Sequence, residues 1–191
     1  MSFYEAVGVS FGIVAVWLTT RQNVWCWPTG LVNVGVFAFV FYEARLYADM
    51  GLQIVYVGLL LYGWYQWLHG GPGHGTLAVS RTPSGALAGL ALAGAAGAAL
   101  LGFTLYRHTD ASLPFWDSST ASFSLVAQWM QARKWLETWV LWIVVDVVYV
   151  GIYVYKQLYA TAGLYAIFIA LAVLGLVEWR RSLARVGAAS L

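Results

Sequence analysis

The chain reads as an all-α polytopic membrane protein: seven transmembrane helices arranged as two parallel three-helix repeats joined by a connector helix. Three observations predict this. Of the 191 residues, 61% are hydrophobic and 9% charged, whereas a soluble domain carries about 25% charged residues. Apolar runs recur at the length that spans a bilayer, roughly 17–25 residues. And residues of the first third return in register 112 positions later. Backbone polar groups in hydrocarbon must be satisfied internally, so spans are helices or a closed barrel. The runs here are continuous rather than alternating, which selects helices.

The predicted helices cover 4–20, 24–43, 47–68, 84–104, 116–132, 135–155 and 161–180. No Lys or Arg precedes the first run and no A-x-A site follows it, so it reads as a span and not a signal peptide. The second contains Pro28 and Gly30, expected to kink it, and then Asn33. The third carries Asp49, Gln53 and Tyr56 on one stripe. The Gly- and Pro-rich stretch "HGGPGHGTLAVSRTPSG" is the clearest break. The fourth run, "SGALAGLALAGAAGAALLG", is made of small residues that let helices approach closely, as a packed connector needs. The fifth is the least apolar and places Asp117, Thr120, Ser124 and Gln128 on one stripe, at steps of three, four and four. It needs a protein-facing polar side to survive in lipid. The domain reading is 1–68 for the first repeat, 69–110 for loop and connector, and 111–191 for the second repeat and a short tail.

The repeat is specific in its residues. Trp27 falls on Trp139, Phe41 on Tyr153, Tyr56 on Phe168, Gly63 on Gly175 and Trp67 on Trp179. "LYA" at Leu46–Ala48 falls on "LYA" at Leu158–Ala160. One connecting span between two three-span units gives both the same orientation, and transporters built this way hold substrate near the midplane. Seven spans put the termini on opposite sides. Arg21, Arg81, Arg133, Lys134, Arg180, Arg181 and Arg185 share one side, against Arg45, Arg107 and Lys156 on the other. The richer side is cytoplasmic by the positive-inside rule, which puts the N-terminus outside and the C-terminus inside.

The sixth run, "WVLWIVVD", holds the sharpest signal. Trp135, Trp139, Trp142, Asp146, Tyr149 and Tyr153 fall on one helix face, opposite Val, Ile and Leu. An ionised Asp at a span centre costs about 2.5–3.5 kcal/mol on insertion scales, so it faces a cavity or a partner. Aromatic faces beside it attract a cation at about 0.5–2 kcal/mol each. That combination suits a flat organic cation bearing polar groups. Asp146 pairing with a neighbouring helix, or acting as a protonated structural donor, is the alternative. Gln53 and Gln128, two long amides, read equally as ligand contacts or as interhelical glue, as does Asn33. Thr120 and Ser124 read as glue, and Asp49 and Asp117 as solvated or capping residues near span ends. Trp17, Trp25, Trp64, Trp67, Trp116 and Trp179 read as an interfacial aromatic belt.

Other classes are disfavoured. A net charge of +2 does not suggest nucleic acid. One cysteine, Cys26, and three histidines in predicted loops do not make a metal site, and no cofactor is expected. An intramembrane hydrolase needs a nucleophile and base at depth, and no predicted span contains His. A proton-coupled carrier with Asp146 as relay remains a competing reading.

"WPTG" at Trp27–Gly30, "LYADMGLQ" at Leu46–Gln53 and "YGWYQW" at Tyr62–Trp67 resemble the first repeat of the nicotinamide riboside transporter (PnuC-type) family. Trp139, Trp142 and Asp146 fit its W-x-x-W-x-x-x-N/D motif, and "LYATAGLY" and "EWRR" resemble the end of its second repeat. The resemblance covers nearly the whole chain. It implies a 3+1+3 fold related to the sugar-carrying SWEET proteins, homotrimers in the inner membrane, and facilitated diffusion of a vitamin precursor of NAD that is trapped inside by phosphorylation. It implies substrate contacts from Trp139, Trp142 and Asp146, to which the residue-level reading adds Gln53, Gln128, Asn33 and Tyr149. Relatives thought to carry thiamine or riboflavin belong to the same family. Thiamine's thiazolium suits a Trp–Asp site, and neutral riboflavin suits it less.

Overall fold

The computed structural model describes residues 3–43, 45, 47–109 and 113–189. They form α1 (Phe3–Thr20), α2 (Cys26–Glu43), α3 (Tyr47–His69), α4 (Ser84–His108), α5 (Pro114–Ala132), α6 (Thr138–Tyr155) and α7 (Tyr159–Ala189), with one 3₁₀ turn at Pro72–His74. Phe3–Thr20, Ser84–His108, Thr138–Tyr155 and Tyr159–Arg185 are long and apolar enough to cross a membrane. The other three helices carry the amides and carboxylates that lower their hydropathy. The chain is a multi-pass helical membrane protein. The side chain of Asp49 lies outside the described residues.

The helix boundaries recur at the repeat offset. α2 and α6 start at Cys26 and Thr138 and end at Glu43 and Tyr155, each pair 112 apart, and α3 and α7 start at Tyr47 and Tyr159. So do the stops. Gln22 and Lys134 both sit at φ 56°, and Arg45 and Gln157 at 58° and 59°. A left-handed residue just past a helix end lets the following N–H reach back five residues and close the turn. Asn23 donates to the Leu18 carbonyl at 3.0 Å, and Trp135 to that of Met130 at 3.1 Å, the same bond one repeat later. α2 starts at Cys26, so Pro28, expected to kink the helix, lies in its first turn, where no intrahelical N–H is required.

The chain divides into two compact units. The first holds α1–α3 with residues 132–134 and 177–191. Its centre is aromatic: Trp27 lies over Gly63, so closely that a Cβ there would overlap the ring. Trp67 meets Trp27 edge-to-face at 5.2 Å, and Trp179 lies 5.8 Å from Trp67 with its indole N–H donating to the Thr19 carbonyl. Trp67 and Trp179 are therefore buried core and not belt residues, while Trp17, Trp25 and Trp116 are exposed as a belt requires. Such ring pairs contribute about 0.5–1.5 kcal/mol beyond their buried area. Phe37 packs on Gly8, and Leu60 on Gly30.

The second unit holds residues 80–131 and 135–176. Gly94 and Gly102 of α4 receive Phe123 and Phe115 of α5, and the Ser122 hydroxyl donates to the Gly94 carbonyl at 2.9 Å. One face of the small-residue helix is thus packed against α5. Trp139 lies over Gly175, as Trp27 does over Gly63. Val140, Val144, Val147 and Val154 form the exposed, lipid-compatible face of α6.

Candidate functional site

α6 places its polar residues along one stripe of the second unit. Asp146 is buried, 5% exposed, in a helix whose other side is valine. Among the described residues no donor reaches its carboxyl. Trp142, one turn earlier, is half-buried and donates its indole N–H to Gln131 Oε1 at 3.0 Å. Tyr149, one turn later, is approached by the Thr120 and Ser124 hydroxyls of α5. Its ring lies 5.8 Å from Tyr153 and 4.6 Å from Tyr165 of α7, and Tyr153 lies 5.2 Å from Tyr165. Phe168 closes the cluster edge-on to Tyr165. One turn beyond Ser124, Gln128 is 7% exposed and its amide Nε2 is buried with no hydrogen-bond partner.

An orphaned amide donor and an unpaired carboxylate in a helical interior each carry a desolvation cost of about 1–3 kcal/mol or more. A ligand that supplied the missing partners would offset that cost. The second unit therefore brings together Trp142, Asp146, Tyr149 and Gln128 of the expected residues. The Trp139 ring is buried against Gly175. Asn33 and Gln53 lie in the first unit. The Asn33 amide donates to the Gly8 carbonyl at 2.7 Å, a bond that ties α1 to α2. Gln53 is half-buried on α3.

Gln131, Tyr153 and Tyr165 were not among the expected contacts. Tyr153 follows Tyr149 by one turn, and Tyr165 occupies in the second repeat the place of Gln53 in the first, so the repeat offset was the signal for it. Thr120 and Ser124, expected as glue, face Tyr149. Asp117 forms a 3.7 Å ion pair with Lys156 near the helix ends. A separate lateral groove of about 530 Å³ is lined by Leu113, Trp116, Val148, Gly151, Ile152 and Tyr155 and includes none of the expected residues.

The turn between α5 and α6 is charged and partly buried. Lys134 Nζ donates to the Leu77 carbonyl at 2.9 Å and sits 4.5 Å from the Trp67 ring centre. Burial pushes its pKa down to about 8, against a smaller opposing pull from Cys26. Burial raises the pKa of Glu137, but the Thr82 N–H at 2.7 Å and hydroxyl at 2.8 Å both donate to its carboxylate and hold it below the usual range.

Long apolar helices with a buried carboxyl and an orphaned buried amide on the inward side define a polytopic membrane protein. Residues 2–181 match the nicotinamide mononucleotide transporter family, and the chain belongs to it. The nicotinamide riboside transporter PnuC of Escherichia coli (strain K12) is 26% identical over 207 aligned positions, covering 95% of this chain and 87% of that protein. The riboflavin/roseoflavin transporter RibM of Streptomyces davaonensis is 31% identical over 181 positions, covering 92% and 83%. The crystal structure of the vitamin B3 transporter PnuC matches the fold with a TM-score of 0.75 at 22% identity, over 96% of this chain and 83% of that one.

Proposed function

We propose that this chain carries nicotinamide riboside across a cell membrane by facilitated diffusion. The single observation that carries the reading is Asp146: a buried carboxyl with no donor from the described residues, one turn from Trp142 and one from Tyr149 on the same helix face. A pyridinium ring answers both groups, because carboxylate and aromatic faces each attract a cation. Family membership and the nicotinamide riboside transporter of Escherichia coli support the vitamin class. In this proposal the seven helices all span the membrane as a 3+1+3, SWEET-like arrangement of three-helix repeats. The 112-residue recurrence of helix boundaries supports that arrangement. The N-terminus is outside and the C-terminus in the cytoplasm of the inner membrane, the assembly is a homotrimer, and phosphorylation inside the cell traps the substrate for NAD synthesis.

The test is calorimetric binding of nicotinamide riboside, thiamine and riboflavin to purified protein, wild type and Asp146→Ala. Binding of nicotinamide riboside that is lost in the variant supports the proposal; unchanged binding in the variant refutes the role of Asp146. Riboflavin is the second reading, favoured by the 31% identical riboflavin/roseoflavin transporter. Tight riboflavin binding, insensitive to Asp146→Ala, would select it. Thiamine transport stays the cationic alternative within the family. A proton-coupled carrier would show uptake driven by an imposed pH gradient.

A further inference from the structure

The charges of the first unit are sorted by end. α1 and α3 finish, and α2 starts, at the same end. Arg21 lies between α1 and α2 there, and residues 132–134 bring Arg133 and Lys134 into the unit. The Trp179 indole donates to the Thr19 carbonyl at 3.1 Å, which sets α7 level with the last turn of α1. Arg180, Arg181 and Arg185 therefore belong to this end as well. Six cations share it with one carboxylate, Glu178. The opposite helix ends hold Glu5, Glu43 and Arg45.

Half of these cations are spent inside the molecule. Lys134 is buried, bonded to the Leu77 carbonyl and set over the Trp67 ring. Arg133 reaches the Tyr62 hydroxyl at 3.3 Å, and Arg181 pairs with Glu178 at 3.3 Å. Arg21, Arg180 and Arg185 are exposed, and among the described residues none of them meets a carboxylate. The Arg21 guanidinium lies 6.0 Å from the ring centre of exposed Trp17. α7 also outruns its counterpart. α3 stops at His69, whose place in the second repeat is Arg181, but α7 continues to Ala189. At 1.5 Å per residue that adds about 12 Å. The extension carries Arg185, one turn beyond Arg181 on the same face.

The depth of the free arginines selects their partner. Tryptophan at a membrane–water interface sits at the level of the headgroups. Trp17 and Trp25 flank Arg21 in the chain and are exposed, and Val14, one turn before Trp17, is exposed on the apolar span. Arg21 thus stands where phospholipid phosphates lie, and Arg180 is level with it. A guanidinium offers a planar fork of donors that matches phosphate, and cations without carboxylate partners favour a headgroup of net negative charge. We propose that Arg21, Arg180 and Arg185 form a docking surface for the headgroups of anionic phospholipids, bordered by Trp17 and Trp25. The surface is separate from the stripe of Asp146 and independent of which vitamin is carried.

The test measures lipid binding to the purified full-length protein in detergent by native mass spectrometry, with phosphatidylglycerol and phosphatidylcholine of equal chain length as the probes. The wild type is expected to bind phosphatidylglycerol about 10-fold or more tightly than phosphatidylcholine, as three basic residues at an anionic surface would give. Each of Arg21→Gln, Arg180→Gln and Arg185→Gln should lower that preference by about 3- to 5-fold, the worth of one basic residue there, and the triple variant should lose it. Arg45→Gln is the control. It removes an exposed cation from the opposite end, and Gln157 holds the equivalent left-handed position at φ 59°, so the variant should fold and keep the preference. Equal binding of the two lipids by the wild type, a triple variant that keeps the preference, or an equal loss in Arg45→Gln overturns the surface. Glycerol 3-phosphate, which carries the phosphate without acyl chains, should fail to displace phosphatidylglycerol at equal concentration. Displacement would mark a site for soluble phosphate compounds and overturn the lipid assignment.

Discussion

α2 of the first unit presents Gly30, Val34, Phe37 and Phe41 where α6 of the second presents Trp142, Asp146, Tyr149 and Tyr153. α1 presents Gly8, Gly12 and Val16 where α5 presents Thr120, Ser124 and Gln128. Between the same two units the packing contacts agree: Trp27 on Gly63 matches Trp139 on Gly175, and the left-handed helix stops fall at equivalent residues. The two units thus share their packing contacts and differ in their polar groups. Tight indole-on-glycine packing leaves no room for variation, because a Cβ at either glycine would overlap the ring. The stripes differ in composition: small and apolar in the first unit, where Phe37 packs on Gly8 and Leu60 on Gly30, and polar in the second. Polar groups at this depth are costly, so the second stripe carries a cost that the first does not.

The comparison can be broken or sharpened by substitution, and the largest effect is expected at the glycines. Gly63→Leu and Gly175→Leu should each abolish the monodisperse folded protein in size-exclusion chromatography, and even alanine should cost about 1–3 kcal/mol through overpacking. A tolerated change at one site but not the other would mean that the scaffold is not shared. Next comes the paired change at one register position. Asp146→Ala should weaken nicotinamide riboside by about 10- to 100-fold, the range for a hydrogen bond to a charged group. Val34→Ala, its counterpart in the first repeat, should leave the dissociation constant within about 2-fold, since no ligand-facing polar group is removed.

Trp142→Phe keeps a ring but removes the N–H that Gln131 accepts. It should lower thermal stability by about 0.5–1.5 kcal/mol, read as a small fall in Tm, with a modest loss of affinity. The smallest effect concerns the stops themselves. Lys134 and Gln22 share φ 56°, so glutamine is a compatible residue for the Lys134 turn. Because the folded pKa of Lys134 is lowered from 10.5 to about 8, the unfolded chain binds the extra proton between those values. Stability from this group therefore rises as pH climbs from about 8 to 10.5 and is lost as pH falls back. Lys134→Gln should flatten that slope in a Tm-against-pH series.

Much of this was legible in the chain itself. Hydropathy and run length marked a helical membrane protein. The 112-residue offset predicted which helices are alike, and i, i+3, i+4 spacing placed Trp142, Asp146 and Tyr149 on one face, because such patterns depend only on helix geometry. Periodicity could not say which tryptophans are core. Trp67 and Trp179 looked like belt residues. Their burial depends on a second indole brought opposite by another helix, and no local pattern encodes that. Nor does any local pattern encode the bond from the Asn33 amide to the Gly8 carbonyl. Tyr165 joins Tyr149 and Tyr153 across a helix pair that sequence spacing does not connect. Composition and period thus determined the kind of protein and the face of the helix that carries chemistry. Which polar groups already have partners, and which wait for one, was decided by tertiary packing, because a hydrogen bond is satisfied by distance and direction and not by residue type.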